Sequence, residues 1–290
     1  MKMKKKQGLA LLVVVMCLVI FSAVAEQDVK HYLMLGEDGY DKVIREDART
    51  DTVVLVTLDT RYNRIICTSI LRDSMITSLR GNPIKVNVLY KNLGLDGMVE
   101  CIERALKIDI EGAILVNFEH VKPVIDALGG VDLQIDINEL IAIRKILLGK
   151  DPNMPTSPGM VHMTGRIALA YMRDRSTGMG DFSRTQRQRK VVRQLFDKCR
   201  SLSLPELIDV YNSVSAGMVT NLSQMDIIGV MARGYQLVDA HADFVDYHIP
   251  QPGTYSYTTL DGSSVLDVRW NKNGEKFRAM LETPPEGETK

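Results

Sequence analysis

The chain has 290 residues, enough for one large domain or two small ones with a sizeable buried core. Its composition is that of an ordinary globular protein, 45% apolar and 25% charged, and 36 basic residues balance 36 acidic ones. A formal charge of zero lends no support to blanket attraction for nucleic acid, and four cysteines without a CxxC pair or regular spacing lend none to a disulfide scaffold or zinc site.

The first 25 residues predict export. Lys2, Lys4, Lys5 and Lys6 precede an uncharged, almost wholly apolar run over 9–24, which is the layout of a signal sequence. Two outcomes stay open. Ala23, Val24 and Ala25 form a small-x-small site, so cleavage before Glu26 is one; retention as a membrane anchor with its lysines in the cytoplasm is the other. The apolar run is short beside the ~20 residues of a typical span. Taking the four leader lysines from the 36 basic residues leaves 32 against 36 acidic, so the remainder is mildly acidic. A local cluster of arginines in it needs a local reason.

Residues 31–35 read as a strand ending at Gly36, and 37–50 as a polar loop. The β-branched runs 52–58 and 64–70, joined by the turn 59–63, predict a hairpin. Over 95–106, Met98, Val99, Ile102, Ala105 and Leu106 share one helical face. A strand at 113–118, a helix at 119–128 stopped by Gly129 and Gly130, and a strand at 131–137 follow. Pro152, Pro155 and Pro158 mark 149–159 as a surface excursion, and 164–172 is short and apolar. Helices are expected over 184–200, 205–216 and 223–238, and closing strands over 244–249 and 264–270. The Pro- and Glu-rich end, 281–290, predicts a disordered tail. Strands and helices mix throughout, so the expected fold is one α/β domain, spanning 30–275, with a central sheet covered by helices. Cys67, Cys101 and Cys199 read as core thiols, and the five histidines form no visible site.

Residues 173–193 carry the chemistry. Arg173 and Arg175 alternate by two, so an extended segment would point both the same way. A glycine-bearing loop, 176–181, follows. Ser183 and Gln186 have the spacing of a capping box, which predicts a helix starting at Arg184. A helix start suits an anion, and Arg184 and Gln188 share a face there. Arginine forks match phosphate oxygens bidentately. The plainer reading, a solvated basic helix, accounts for Arg187, Arg189 and Arg193, which fall on mixed faces. Nearer the front, Asp38 follows the first strand and Asp51 precedes the second; two carboxylates at strand ends suit one magnesium ion, although loop acids and caps look the same in sequence.

In order, the segments LMLGED (33–38), RTDT (49–52), SILRDS (69–74), KVN (85–87), VIDALGGVDL (124–133), GRIALAYMRDR (165–175) and GDFSRTQRQRKVV (180–192) resemble the LytR-CpsA-Psr family of bacterial cell-envelope proteins, over roughly residues 32–275. The resemblance implies a three-layer α/β/α sandwich with a central mixed sheet and an apolar pocket for a polyprenyl chain. It implies a magnesium-dependent phosphotransferase that moves a glycopolymer, such as teichoic acid or capsule, from a polyprenyl-pyrophosphate-linked donor to a peptidoglycan hydroxyl. Carried over by position, Asp38 and Asp51 would hold Mg2+. Arg49, Arg72, Lys85 and Gln188 would bind phosphates, and Arg173, Arg175, Arg184 and Asp181 would form the catalytic set. Asp181 is either a general base or a cap on the following helix; a carboxylate paired with arginine is a poor base. The family usually has proline where this chain has Leu71, so the loop presenting Arg72 is expected to be less rigid. Two other functions would use the same residues: a polyprenyl pyrophosphate hydrolase, with water replacing the sugar hydroxyl, and a non-catalytic lipid-phosphate-binding envelope regulator. The expected location is extracytoplasmic, at the membrane, with no nucleic-acid partner.

Overall fold

The two β-branched runs form the expected hairpin. Strand β2 (Thr50–Asp59) pairs antiparallel with β3 (Arg64–Ile70), and Asp59 faces Arg64 at the closed end. Their side chains close it as well: the buried Arg64 guanidinium donates through Nε to Oδ2 of Asp59 at 3.0 Å. This computed structural model describes residues 28–37 and 44–284. The leader 1–25, Asp38 and the end of the tail lie outside the described residues.

On its other edge β2 pairs antiparallel with β1 (Val29–Glu37), and β1 runs parallel to β6 (Gly112–Val116). Strand β10 (Asp243–Ile249) lies parallel to β3, and the two-residue β9 (Val219–Thr220) closes the far edge. The sheet order is β10-β3-β2-β1-β6-β9, a mixed sheet. Strands β1, β3, β6 and β10 all end at the same edge, where β2 begins. Such carboxyl ends are where open α/β sheets place ligands.

Period-two alternation gives the sheet two apolar faces. Leu33, Leu35, Val53, Leu55, Ile66 and Leu115 pack against Met98, Ile102 and Leu106 of α1 (Leu89–Leu106) and Phe277 of α8 (Trp270–Glu282). On the opposite face Tyr32, Leu58 and Ile65 pack against Ile227, Leu237 and Val238 of α7 (Gln224–Asp239). Each such fully buried Leu or Ile contributes about 1.5–3 kcal/mol. The result is the expected α/β/α sandwich.

Two smaller units complete the site. Strands β7 (Val131–Ile135) and β8 (Gly159–Met163) and helices α2 (Phe118–Ala127), α3 (Ile137–Ile146), α4 (Gly165–Arg173) and α5 (Asp181–Cys199) enclose a second core around Ile125, Ile143, Ile167 and Tyr171. Strands β11 (Tyr255–Leu260), β12 (Ser263–Val268), β4 (Ser74–Thr77) and β5 (Pro83–Lys85) form a four-stranded sheet beside Leu71. Helix α6 (Leu204–Val214) leads towards β9.

Several boundaries differ from the sequence reading. Helix α1 begins at Leu89, but Gly94 at φ 71° interrupts it, so the regular part is the expected 95–106. The closing strand stops at Val268 and α8 follows, reaching Glu282 inside the stretch read as tail. Asn271, Lys272, Asn273 and Gly274 look like loop in sequence. In the fold Asn273, Gly274, Phe277 and Leu281 form the buried face, and a Cβ at Gly274 would collide with the Leu106 carbonyl.

Candidate functional site

Asp51 lies near the start of β2, beside the end of β3, and Arg72 follows β3 two residues on. Arg72 therefore donates through Nη1 to Oδ2 of Asp51 at 2.7 Å. Arg175, just after α4, donates through Nη2 to the same oxygen at 2.7 Å, and Nη1 of Arg184 on α5 stands 3.9 Å from it. Three guanidiniums from three parts of the fold thus converge on one carboxylate oxygen. Arg184 is only 4% exposed.

The Arg72 loop is held without proline. Leu71 is buried against Leu266 and Val268, and its N–H donates to the Ile249 carbonyl at 2.9 Å. Proline could not make that bond. The expected looseness is replaced by packing and one hydrogen bond.

The arginine segment departs from the sequence reading in two ways. Arg173 ends helix α4 instead of sharing an extended ridge with Arg175, because the apolar residues from Ile167 to Met172 bury themselves as a helix. Both arginines nevertheless line one cleft of about 460 Å3, together with Ala142, Lys145, Ile146 and Arg184. Helix α5 begins at Asp181, not Arg184. Gly180 adopts φ 59°, a conformation open to glycine, and turns the chain into the helix one turn early. The Arg184 N–H is consequently spent on the Gly180 carbonyl at 3.0 Å, and Ser183 Oγ accepts from the Met179 N–H instead of capping the helix. Asp181 is the first helical residue; its side chain lies outside the described atoms. The shared face of Arg184 and Gln188 holds: Gln188 Nε2 donates to Thr52 Oγ1 at 3.0 Å, next to Asp51.

A second cleft, about 790 Å3, opens on the other side of Asp51 and is lined by Arg49, Arg72, Lys85, Lys91 and Arg175 among others. Lys85 donates to Oδ1 of Asp73 at 2.9 Å, and Arg72 Nε lies 3.5 Å from Asp73 Oδ2. Asp261, Asp47 and Glu37 join Asp51 and Asp73 in this lining, yet across the two clefts nine Lys and Arg side chains meet six Asp and Glu, a surplus of positive charge in a mildly acidic domain. Arg175 lines both clefts, so they meet at this side chain, which donates to Asp51.

Arg187 and Asp174 are the residues that sequence reading missed. Arg187 is 4% exposed, not solvated. Its Nε pairs with Glu139 of α3 at 3.1 Å, and its Nη1 donates to the Asp174 carbonyl at 2.9 Å. Asp174 in turn accepts from the Ser176 N–H at 2.8 Å and from the hydroxyls of Ser176 and Thr177. Burial opposes ionisation of Asp174, but these bonds and the Arg187 charge outweigh it and hold its carboxyl below the ordinary range. The network fixes the residue on either side of it, Arg173 and Arg175. The only sequence signal was an acid between two arginines.

Among the described residues no three His, Cys, Asp or Glu side chains gather as a metal site. Asp51 still suits a hard cation: its nearest contacts with Arg72, Arg175 and Arg184 all fall on Oδ2. A magnesium ion takes few protein oxygens and fills its shell with water and phosphate oxygens, so a sparse donor set fits it. Asp38, its expected partner, lies outside the described residues.

The LytR_cpsA_psr family model matches residues 6–276. A Bacillus anthracis protein named polyisoprenyl-teichoic acid–peptidoglycan teichoic acid transferase TagU is 32% identical over 255 residues, covering 86% of this chain and 78% of that one. A similarly named TagV of Bacillus subtilis is 31% identical over 184 residues, 61% of this chain and 46% of that one. The structure of TagT bound to LIIa-WTA superposes with a TM-score of 0.70 at 25% identity, covering 88% of this chain and 90% of that one. A Streptococcus agalactiae structure gives a TM-score of 0.73 at 23% identity over 89% and 88% of the two chains, a likeness of fold.

Proposed function

Because the chain belongs to the LytR_cpsA_psr family, we propose that it is a phosphotransferase that joins a glycopolymer from a polyprenyl-pyrophosphate-linked donor to a peptidoglycan hydroxyl. The observation that carries this reading is the convergence of Arg72, Arg175 and Arg184 on Oδ2 of Asp51. Guanidiniums brought together from distant parts of the chain, with cationic surplus and open clefts on both sides, suit a pyrophosphate whose two ends lead in different directions. The names borne by the relatives point the same way, to teichoic acid transfer onto peptidoglycan.

In this reaction the acceptor oxygen bonds to the phosphorus that carries the glycopolymer. The bond from that phosphorus to the bridging oxygen breaks, and polyprenyl phosphate leaves with the electron pair. The proton of the acceptor hydroxyl passes to solvent or to Asp181. Phosphoryl transfer asks mainly for alignment and for stabilisation of charge on the non-bridging and leaving oxygens. Arg175 and Arg184 would hold the pyrophosphate centre, Arg72 and Lys85 one flank and Arg173 the other. Gln188 and Arg49 complete the polar lining. Ala142 and Ile146 offer an apolar wall along which an isoprenoid chain can run.

Magnesium belongs to the proposal through Asp51 and Asp38. When bound, it would neutralise phosphate charge as the leaving group forms. The arginines around Asp51 repel a lone cation, so the ion is expected to enter with the pyrophosphate.

The leader argues for an extracytoplasmic site close to the membrane. Among the described residues no helix is long and apolar enough to cross a membrane.

Binding measured by calorimetry on the detergent-solubilised full chain tests the reading. A short polyprenyl pyrophosphate with magnesium should bind, and the matching polyprenyl alcohol should bind at least about tenfold more weakly, as lost charge-assisted bonds require. Equal affinities would remove the arginine cluster from substrate recognition.

A further inference from the structure

Helix α3 carries isoleucine on two faces. Its inner face, with Leu140 and Ile143, is buried in the second core. Its outer face presents Ile137, 52% exposed, and Ile141, 56% exposed. These positions are four residues apart, and Arg144 and Lys145 continue the same stripe by helical spacing. Leu148, just past the helix, is 74% exposed and sits at φ 52°. A leucine in that left-handed conformation is doubly costly, since sterics favour glycine or asparagine there and water disfavours the side chain. Lys150 follows, also exposed. The acids at the start of this helix are engaged in its own structure: Asp136 caps it, accepting from the Glu139 N–H at 2.8 Å, and Glu139 is turned inward to Arg187 and to the Asp136 N–H.

We infer that this stripe of Ile137, Ile141 and Leu148, flanked by Arg144, Lys145 and Lys150, docks on an anionic lipid surface and sets the mouth of the arginine cleft at the bilayer. Isolated exposed apolar residues need no explanation, but a row of large ones fringed by basic side chains is how a helix lies in a membrane interface. Lipid headgroups of negative charge complement the three cations. Continuity with the site supplies the other argument. On the adjoining face of the same helix Ala142 and Ile146 line the cleft with Arg173, Arg175 and Arg184, and Lys145, at the border of the two faces, reaches it as well. A helix that touches lipid with one face and the pyrophosphate cleft with the next would deliver a lipid-linked donor without drawing its whole chain through water. In this respect the inference rests on the lipid-linked donor of the proposed function.

The test reads position, not turnover. Leu148→Trp and, as a control on another exposed surface, Tyr257→Trp are made in the full chain and reconstituted into phosphatidylcholine vesicles with or without brominated phosphatidylglycerol. Fluorescence of L148W should be quenched by brominated anionic lipid beyond the background of native Trp270, and that of Y257W should not. Adding Ile137→Asp and Ile141→Asp to L148W should abolish the quenching. The same double aspartate variant should keep wild-type turnover on a short-chain donor in detergent and lose about tenfold or more on a long-chain donor in vesicles. Unquenched L148W in a folded, active protein would overturn the docking while leaving the transferase reading intact. Quenching replaced by concentration-dependent self-association would equally overturn it, making the stripe a contact between copies. Loss of turnover in detergent as well would place Ile137 and Ile141 in the catalytic fold and sink the proposal.

Discussion

Arg175 and Asp51 are 124 residues apart in sequence, yet Nη2 of one lies 2.7 Å from Oδ2 of the other. Asp51 is fixed by a central strand, and Arg175 is fixed by the Asp174 loop. Their meeting joins the sheet to the helical lobe at the point where both clefts open.

Arg175→Ala should therefore separate chemistry from folding. Its side chain is 41% exposed, so truncation leaves little buried charge behind. Transfer should fall about 10²–10³-fold, the usual consequence of removing one charge-stabilising donor, with a melting temperature close to wild type. Arg173→Ala should behave alike. Wild-type turnover in both variants would remove them from the site.

Asp51→Asn should weaken the magnesium dependence. The amide keeps the shape but loses the charge that both a cation and the arginines require. Titrating magnesium against transfer rate should show a higher half-saturating concentration than in wild type. An unchanged titration would leave Asp51 as a spacer for arginines and nothing more.

Arg187→Met should damage the fold rather than the chemistry alone. The substitution strands Glu139 and Asp174, both largely buried, without their shared cation. Breaking a buried pair in this way costs about 3–5 kcal/mol, read as a shifted urea midpoint. Arg187→Lys should recover only part, because one ammonium cannot replace the fork that spans Glu139 and the Asp174 carbonyl. A midpoint within error of wild type for Arg187→Met would contradict the network.

His31 gives the fold a pH dependence of predictable sign. Burial is the main cause that lowers its pKa from 6.5 to about 4, and the neutral ring hydrogen-bonds Thr57 Oγ1 at 2.8 Å. The unfolded chain takes up a proton near pH 6.5 and the folded one does not, so stability is full above that value and declines as pH falls towards 4. The loss reaches roughly 3 kcal/mol once both states are protonated. His31→Gln should flatten that part of a stability-versus-pH curve. An unaltered curve would show that other groups set it.

Much of this was readable in the sequence for identifiable reasons. The β2–β3 hairpin followed from β-branched runs on either side of a polar turn, and the regular part of α1 from its apolar spacing. Helix α8 was hidden because Gly274 is buried against the α1 terminus and Asn273 against Gln251 and Thr254, relations no local window contains. Position in the motifs brought Arg49, Asp51, Arg72, Lys85, Arg173, Arg175, Arg184 and Gln188 to one region. The geometry behind them was less legible. A capping box at Ser183 looked sound, but Gly180 opened an earlier entry to the helix. Arg187 looked like solvated surface because its partners Glu139 and Asp174 come from other elements. Long-range ion pairs leave no periodicity to read.

The most direct test of the central claim is a transfer reaction. The full chain in detergent, magnesium, a polyprenyl-pyrophosphate-linked sugar donor and a peptidoglycan oligomer would be incubated together and the products read by mass spectrometry. The account predicts an acceptor carrying the donor sugar through a phosphodiester, with polyprenyl phosphate released in equal amount. Free sugar phosphate with an unmodified acceptor would contradict it and make the protein a hydrolase; bound donor with no product at all would make it a lipid-phosphate binder.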